Sequence, residues 1–287
     1  MEQQTRLKAV IAIVNNKGGV GKTTTVQNVA AGLIRRNPKL RVGCIDLDPQ
    51  GNLSTLLGWH EMRKRIPNAL TVADALQDGD NNHLPFYPAN SPGIWYCPAS
   101  QALADIEPAL HAQMSSKQVL TALFGNEVFD MNALYLKETT KYDPIDYIED
   151  FFDYILIDCA PALSELTYNA LAAASWVIIP VQLGSLSIDG IARMIEAYRK
   201  VRQKLNPDLE LRGLLIVMAD ERTNLARETI DYLRDTYGEV MFKSRIRQCI
   251  KVGESQYKHV SIFDWASDCT AAHDYEDFIK ELLTSKK

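Results

Sequence analysis

Cysteine is scarce in this chain and occurs in no paired motif. The 287 residues include 5 Cys, and none of them forms a C-x-x-C pair. An odd number of widely spaced cysteines argues against a disulfide framework, a cysteine zinc site or an iron–sulfur cluster. We therefore expect buried, reduced thiols in a cytoplasmic protein.

Long apolar runs are also missing. The N-terminal stretch Met1–Lys8 is polar, and the longest apolar runs have only the length of strands. This pattern predicts neither a signal peptide nor a membrane span. The tail His273–Lys287 mixes acidic side chains with apolar ones. Anionic lipid would repel such a face, so we expect no membrane partner.

The chain has no excess of positive charge. Its net charge is -5 and its pI is about 5.6. This excludes a uniformly basic surface for nucleic acid, so only a local basic patch remains as a contact.

Apolar runs of strand length alternate with amphipathic stretches along most of the chain. This alternation is typical of βαβ units and predicts an α/β fold with a mostly parallel twisted sheet and helices on both faces. The predicted strands are Ala9–Val14, Val42–Ile45, Ile94–Cys97, Tyr154–Ile157, Trp176–Val181, Leu211–Met218 and Val240–Lys243. The predicted helices are Thr23–Arg36, Leu163–Ala174, Ile188–Leu205, Leu225–Tyr237 and Ala271–Leu283.

The middle of the chain, about 59–150, has a weaker pattern. Pro85, Pro88, Pro92 and Pro98 interrupt its first part. Ser100–Phe124 is predicted to be helical, and Asp130–Glu138 is a further candidate helix. No repeat or linker separates this segment from the rest. We therefore predict a single domain over residues 1–287, decorated by this middle segment.

A phosphate-binding loop follows the first predicted strand. The residues Lys17-Gly18-Gly19-Val20-Gly21-Lys22-Thr23-Thr24 lie between that strand and a helix. Glycines allow unusual dihedrals and close approach, and a helix N-terminus favours an anion. Lys22 is expected to neutralise the β- and γ-phosphates of ATP, and the Thr23 hydroxyl to hold Mg²⁺. The sequence therefore predicts a P-loop NTPase.

The loop departs from the usual pattern at its start. Asn16 replaces the first glycine, and an extra lysine, Lys17, follows it. This combination is the deviant Walker A motif. Lys17 is either a solvated loop lysine or a catalytic cation that reaches the nucleotide of a facing subunit, where it would stabilise charge on the γ-phosphate.

Aspartates follow two other predicted strands. Asp46 and Asp48 lie on one side of an extended segment, and Asp158 ends a later strand in the Walker B pattern. Ligands bind beyond the carboxyl ends of parallel strands. We expect Asp46 and Asp158 to hold the Mg²⁺ water shell and Asp48 to position the attacking water. The alternative for Asp46 and Asp48 is an ordinary strand-end turn.

These motifs together resemble the ParA/Soj/MinD group of deviant Walker ATPases. Lys17–Thr24 matches the loop KGGVGKTT, Asp46–Asn52 matches DLDPQGN, and Ile155–Pro161 resembles the Walker B strand, with Ala160 in place of a proline. The segments Thr167–Ala170, Ile178–Gln182 and Arg222–Asn224 are also similar to the family.

The resemblance implies an ATP-dependent homodimer in which Lys17 acts across the interface. It also implies DNA binding without sequence preference by the ATP-bound dimer, which would then associate with the nucleoid. A ParB-like centromere-binding partner would stimulate a weak hydrolysis of ATP. The resemblance predicts a role in plasmid or chromosome segregation.

The chain departs from the family at several positions. About twenty extra residues lie near Phe129–Asp146, and Leu183–Ser187 lacks the expected acidic and aromatic residues. Ile246-Arg247-Gln248-Cys249 stands where relatives often have Ile-Pro-Arg-Asn. These changes leave the adenine pocket and the partner surface open.

A basic stretch near the C-terminus is the candidate DNA contact. The five residues proposed for it are Arg222, Lys243, Arg245, Arg247 and Lys251. Nonspecific phosphate contacts here would make DNA affinity fall steeply with salt. The alternative is a solvated basic edge. For the whole chain, the rival functions are a positioning ATPase with a protein cargo, a metabolic P-loop enzyme and a nucleotide-switched binding module with negligible hydrolysis.

Overall fold

The structure is a computed structural model that describes residues 6–77, 83–112, 116–125, 127–130, 146–183 and 187–284. Its strands are β1 Ala9–Ile13, β2 Val42–Leu47, β3 Pro85–Pro88, β4 Ile94–Cys97, β5 Glu127–Asp130, β6 Asp146–Tyr147, β7 Tyr154–Cys159, β8 Trp176–Gln182, β9 Glu210–Ala219 and β10 Met241–Arg247.

The helices in the first part of the chain are α1 Lys22–Arg36, α2 Asn52–Leu56, α3 Trp59–Arg65, α4 Val72–Gln77, α5 Ala102–His111 and α6 Val119–Phe124. Those in the second part are α7 Ile148–Phe151, α8 Glu165–Ala173, α9 Ser187–Lys204, α10 Asn224–Tyr237, α11 Ile250–Tyr257, α12 Ile262–Ala266 and α13 Thr270–Thr284. A short 3-10 turn, Gly238–Val240, precedes β10.

All described strands belong to one sheet, in the order β10-β9-β8-β1-β7-β2-β4-β3-β5-β6. Six neighbouring pairs from β10 to β4 are parallel. The pair β3–β4 is antiparallel, β3–β5 is parallel and β5–β6 is antiparallel. The prediction of a mostly parallel α/β sheet is confirmed.

The core lies on both faces of this sheet, which explains why the central strands are continuous apolar runs. In β1, Val10 and Ala12 belong to one buried cluster, whereas Ala9, Ile11 and Ile13 belong to the other. Side chains alternate across a strand, so each strand supplies both clusters. Helices cover both faces and exclude water from them.

The middle segment extends the sheet instead of forming a separate body among the described residues. Strand β4 pairs with β2, and Val72, Leu103 and Leu123 pack in the same cluster as Ile45. The predicted helix Ser100–Phe124 is two helices, α5 and α6. Asp130 ends β5, and the rest of the predicted helix Asp130–Glu138 lies outside the described residues.

Carboxylates of α13 cover the outer edge of β10. Glu281 accepts hydrogen bonds from the Lys243 and Ser244 amides, both at 2.8 Å, and Asp274 accepts one from the Arg247 amide at 2.9 Å. The edge strand therefore has these backbone donors satisfied by side chains.

The cysteines differ from the sequence expectation in one respect. Cys44, Cys97 and Cys159 are buried, but Cys249 and Cys269 are only half-buried. Of the helices in the described ranges, none is both long enough and apolar enough to cross a membrane.

Candidate nucleotide-binding site

The loop between β1 and α1 forms a turn that only glycine adopts without strain. Gly19 and Gly21 both have φ of +72°, in the left-handed region, and Gly21 caps α1. A Gly-rich turn that enters a helix presents backbone N–H groups and the positive helix end to an anion. The chain thus builds a phosphate cradle at the centre of the sheet, beyond the carboxyl end of β1.

Asn15 fixes the start of this loop. Its side-chain nitrogen donates to the Pro180 carbonyl on β8 at 2.7 Å, and its side-chain oxygen accepts from the Lys17 amide at 3.0 Å. One buried amide therefore ties the loop to the neighbouring strand. Such a bond holds the turn in place before a ligand arrives.

The two loop lysines differ in their surroundings. The Lys22 side chain is buried, and its ammonium donates to the Lys17 carbonyl at 3.1 Å. Burial lowers the pKa of Lys22, and the nearby carboxylates of Asp158 and Asp48 oppose that effect. Lys17 is half-buried, and its ammonium has no hydrogen-bond or ion-pair partner among the described residues.

Thr23 and Asp158 meet at the carboxyl end of the sheet. The Thr23 hydroxyl donates to Asp158 Oδ2 at 2.6 Å, while the buried Asp158 Oδ1 has no hydrogen-bond partner within the described protein. Burial, followed by the charge of Asp46, raises the pKa of Asp158 well above its usual range, against the Thr23 hydrogen bond and the Lys22 charge. A buried carboxylate oxygen without a partner, beside a hydroxyl, fits a hydrated Mg²⁺ ion.

The strand order explains why these residues meet. Strand β7 lies between β1 and β2, and in its register Asp158 is paired with both Ile13 and Asp46. The end of the first strand and the two aspartates therefore stand side by side. The parallel pairing thus brings Asp158 next to Ile13 and Asp46, although both lie more than one hundred residues earlier in the chain.

Asp46 is bound within its own segment. Its carboxylate accepts from the Ser54 amide at 2.8 Å, the Ser54 hydroxyl at 2.7 Å and the Asp48 amide at 3.1 Å. Burial raises the pKa of Asp46 to about 6, although the Ser54 bonds act in the opposite direction. The side chain lies next to Asp158, and both of its oxygens accept hydrogen bonds from protein donors. Its metal role stays a prediction.

Asp48 lies at the rim of the loop instead of in the core. It is half-buried, and its carboxylate accepts from the Gln50 amide at 3.0 Å. It faces the same cavity as the phosphate loop. This placement leaves the carboxylate accessible to a water beside a bound phosphate.

A cavity of about 610 Å³ lies over the loop. Its lining residues are Gly18, Gly19, Val20, Gly21, Lys22, Thr23, Thr24, Asp48, Gln50, Asn52, Thr55, Leu56, Pro161, Met218 and Gln256. Every predicted loop residue except Lys17 therefore lines the cavity, and so does Asp48. Its size suits a nucleotide.

Two polar contacts of this site were not predicted from the sequence. Gln256 on α11 donates to the Thr24 hydroxyl at 2.6 Å, so it closes the cavity from the C-terminal part of the chain. Ser54 holds Asp46, as described above. No local motif marks either one, because Gln256 is separated from the loop by most of the chain and Ser54 lies inside a short helix.

The predicted basic residues are placed among acidic ones. Arg222 pairs with Asp220 at 2.7 Å, Arg247 with Asp274 at 2.6 Å and Lys251 with Glu254 at 2.9 Å. The remaining two also lie near carboxylates. Arg245 pairs with Glu221, and Lys243 is exposed beside Glu281.

Four of these five cations line two different grooves. Arg222 and Arg247 line one groove, whereas Lys243 and Arg245 line another. The DNA contact at these residues stays a prediction, and it requires that phosphates compete with the carboxylates.

A family model and several known proteins are similar to most of this chain. A family model described as an AAA domain matches residues 8–211. The chromosome-partitioning ATPase Soj of Treponema pallidum is 30% identical over 95% of this chain and 96% of its own. The sporulation initiation inhibitor protein Soj of Bacillus subtilis is 32% identical over 96% of this chain and 98% of its own.

One solved structure similar to this chain holds a nucleotide and a metal ion. Cobyrinic acid a,c-diamide synthase from Mycobacterium smegmatis, with bound ATP analog and magnesium, has a TM-score of 0.71 and 29% identity, over 96% of this chain and 93% of that one. The phosphate loop and the Thr23–Asp158 pair fit the same ligands. The chain therefore belongs to the ParA/Soj family of P-loop ATPases and uses ATP with Mg²⁺.

Proposed function

We propose that this ATPase partitions DNA, as a plasmid or a chromosome, through an ATP-bound dimer that binds DNA without sequence preference. A ParB-like partner stimulates an otherwise weak hydrolysis. The observation that carries the proposal is the similarity to Soj over nearly the whole chain, together with a deviant loop. In that loop Lys22 is buried, and the Lys17 ammonium has no partner among the described residues.

The site residues have separate roles in this proposal. Lys22, Thr24 and the amides of Gly18–Gly21 bind the phosphates of ATP. Thr23 and Asp158 hold the metal shell, with Asp46 behind them. Mg²⁺, when bound, neutralises phosphate charge. Asp48 orients the water that attacks the γ-phosphate, because its carboxylate lies at the rim of the cavity.

Lys17 supplies the catalytic cation to the facing subunit. Its ammonium has no partner among the described residues of its own chain, whereas Lys22 is held inside the loop. A cation added in trans stabilises charge that develops on the γ-phosphate oxygens. Hydrolysis then depends on dimerisation, and ATP acts as the signal that assembles the dimer.

The DNA step follows from the dimer. A dimer carries twice the number of these cations, which strengthens DNA binding by a chain of net charge -5. ATP-bound molecules would then associate with the nucleoid and leave it after hydrolysis. The five cations Arg222, Lys243, Arg245, Arg247 and Lys251 are the proposed phosphate contacts.

DNA retention in the presence of ATP, ADP or no nucleotide, across a salt series, tests this function. We expect retention with ATP alone, little dependence on sequence and a steep loss with salt. The variant Lys22→Ala, which lacks the phosphate-binding ammonium, is the control. Equal retention with all three nucleotide states, or none with ATP, contradicts the proposal.

A specific similarity keeps a second function in view. The solved structure described above is named as a synthase, at 29% identity. If this chain were a metabolic enzyme, phosphate release would require a small second substrate and would not respond to DNA or a ParB-like protein. A ParA-like positioning ATPase with a protein cargo would keep ATP-dependent DNA binding but respond to a different partner.

A further inference from the structure

Two neighbouring threonines at the start of α1 carry hydroxyls with opposite hydrogen-bond roles. The Thr23 hydroxyl donates to Asp158 Oδ2 at 2.6 Å. The Thr24 hydroxyl instead accepts a hydrogen bond, from the Gln256 side-chain nitrogen at 2.6 Å. Within the part of the chain that the structure describes, the Thr24 hydroxyl makes no other hydrogen bond. The two hydroxyls therefore offer different atoms to a ligand in the cavity that both threonines line.

The direction of each hydroxyl proton decides what that hydroxyl can bind, because a hydroxyl has one proton and two lone pairs. Thr23 donates its proton to Asp158, so a lone pair of its oxygen remains for a metal ion. Thr24 accepts the amide hydrogen of Gln256, so its own proton points to a different acceptor. A phosphate oxygen over the loop is an acceptor of the required kind.

Gln256 is held in place by the packing of the C-terminal segment on α1. It is half-buried near the end of α11 and lines the nucleotide cavity. At the start of α12, the Ile262 amide donates to Asn28 Oδ1 at 2.8 Å, and Asn28 Nδ2 donates to the Thr24 carbonyl at 2.9 Å. The fully buried Asn28 thus joins Thr24 to the C-terminal segment at a second point. Protein groups alone therefore fix the relative positions of Thr24 and Gln256.

We propose that Gln256 is a positioning residue for ATP, which turns the Thr24 proton toward a phosphate oxygen by donating to the Thr24 oxygen. The inference rests on the proposed role of Thr24 as a phosphate ligand. A donor that is already oriented needs no reorganisation when the anion binds, so it contributes more to affinity than a freely rotating hydroxyl. The residue that provides this orientation lies 232 residues beyond Thr24 in the chain.

The side chain at position 256 should therefore set the affinity for ATP in a definite order. Gln256→Met keeps the approximate size but removes the donor, so the Thr24 proton can rotate away from the phosphates. Gln256→Glu keeps the length but offers only acceptor oxygens, so the Thr24 proton turns toward the carboxylate. The added negative charge also opposes the phosphates. The expected order of ATP affinity is wild type, then Gln256→Met, then Gln256→Glu.

Competition of ATP against a fluorescent ATP analogue, with the full chain, measures this order. We expect Gln256→Met to weaken ATP binding about 2–10-fold, as for the loss of one hydrogen bond, and Gln256→Glu to weaken it further. Gln203→Met makes the same exchange at an exposed position on α9 and is the matched control. Thermal melts verify that each variant folds. Unchanged affinity in Gln256→Met, or tighter binding by Gln256→Glu than by Gln256→Met, overturns the proposal.

A double-mutant cycle with Thr24→Val tests whether Gln256 acts through the Thr24 hydroxyl. Thr24→Val removes that hydroxyl at nearly constant shape and should itself weaken ATP binding. In the Thr24→Val background, Gln256→Met should then have no further effect. Equal losses in both backgrounds overturn the positioning role of Gln256 but leave Thr24 as a phosphate ligand. Unchanged ATP affinity in Thr24→Val alone contradicts the phosphate role of Thr24 and, with it, this inference.

Discussion

The Thr23 hydroxyl lies 2.6 Å from Asp158 Oδ2, and the other oxygen of that buried carboxylate has no partner among the described residues. Because the pair joins the helix after the phosphate loop to the end of β7, it sets where a metal ion can stand relative to the phosphates. The unpartnered oxygen faces a desolvation cost that a hydrated cation removes.

Removal of either group should weaken the response to Mg²⁺. We expect Asp158→Asn and Thr23→Val to lower the apparent Mg²⁺ affinity of the ATPase about 10–100-fold. Phosphate release measured against free Mg²⁺ gives this number. Thr229→Val is a matched control, since it deletes a hydroxyl that only bonds the Leu225 carbonyl on α10. An unchanged Mg²⁺ profile in Asp158→Asn would place the ion elsewhere.

The two loop lysines should fail in different ways. Lys22→Ala should abolish ATP binding, because the buried ammonium that faces the phosphates is lost. Lys17→Ala should keep ATP binding but lower turnover by about 10³-fold or more, as for a cation supplied across an interface. Equilibrium binding and single-turnover hydrolysis separate the two effects.

A mixing experiment decides whether Lys17 acts in trans. Lys17→Ala and Asp48→Ala subunits are each inactive alone, but a mixed dimer contains one site with an intact Asp48 and a Lys17 from the partner. Phosphate release should therefore reappear on mixing. If it does not, while dimers form, Lys17 acts within its own chain.

Asp48→Ala should separate binding from hydrolysis. The half-buried carboxylate at the rim of the cavity is not needed to hold phosphates, so ATP affinity and dimerisation should persist. Turnover should fall by about 10²–10⁴-fold, the usual contribution of a positioned base. Asp105→Ala, which removes an exposed carboxylate on α5, is the control. Normal hydrolysis by Asp48→Ala would assign the water to another residue.

Charge reversal tests the basic residues against their acidic neighbours. Arg245→Glu with Arg247→Glu should remove ATP-dependent DNA retention at unchanged ATPase activity, if phosphates compete for these cations. Each lost contact should lower the slope of log affinity against log salt by about 1. Arg63→Glu with Arg65→Glu, on α3, is the matched control. Full retention in the first variant would move the surface elsewhere.

The raised pKa of Asp46 predicts a pH effect on the unliganded protein. A carboxyl whose pKa is about 6 when folded keeps its proton longer than in the unfolded chain, where the pKa is near 4. Its stabilising effect is fully present below pH ~4 and is lost as the pH rises through about 6.

Urea unfolding as a function of pH measures this effect. Between pH ~4 and ~7 the deprotonation of Asp46 should lower the free energy of unfolding by roughly 2–3 kcal/mol. In Asp46→Asn that decrease should disappear, whatever its absolute stability. An equal pH dependence in both proteins would show that Asp46 titrates normally.

Much of the fold was predictable because the central strands are buried on both faces. Each of the predicted strands in the parallel part of the sheet is present, with ends shifted by a few residues at most. Strands β3, β5 and β6 were not predicted. Strand β3 begins and ends with proline, and short strands of this kind carry no periodic signal. Strand β5 pairs with β3 but is distant from it in the sequence, so no local pattern indicates this pairing.

The positions of the candidate site residues were predictable wherever these residues follow the end of a strand. Gly19, Gly21 and Lys22 lie as their motif indicates, and Asp158 reaches Thr23 because β7 pairs between β1 and β2. The pairing of Asp46 with Ser54, and of Arg247 with Asp274, was not predictable. Both depend on where separate segments pack, which no local pattern encodes.

The α13 carboxylates that bind the edge of β10 affect how the protein associates at high concentration. A strand from another copy that approached this edge would have to displace the Asp274 and Glu281 carboxylates from the backbone amides of β10. It would also leave two acidic groups without their donors, next to its own chain. Helix α13 thus disfavours strand addition and fibre formation at this edge of the sheet. Any assembly of this ATPase is thereby directed to other surfaces.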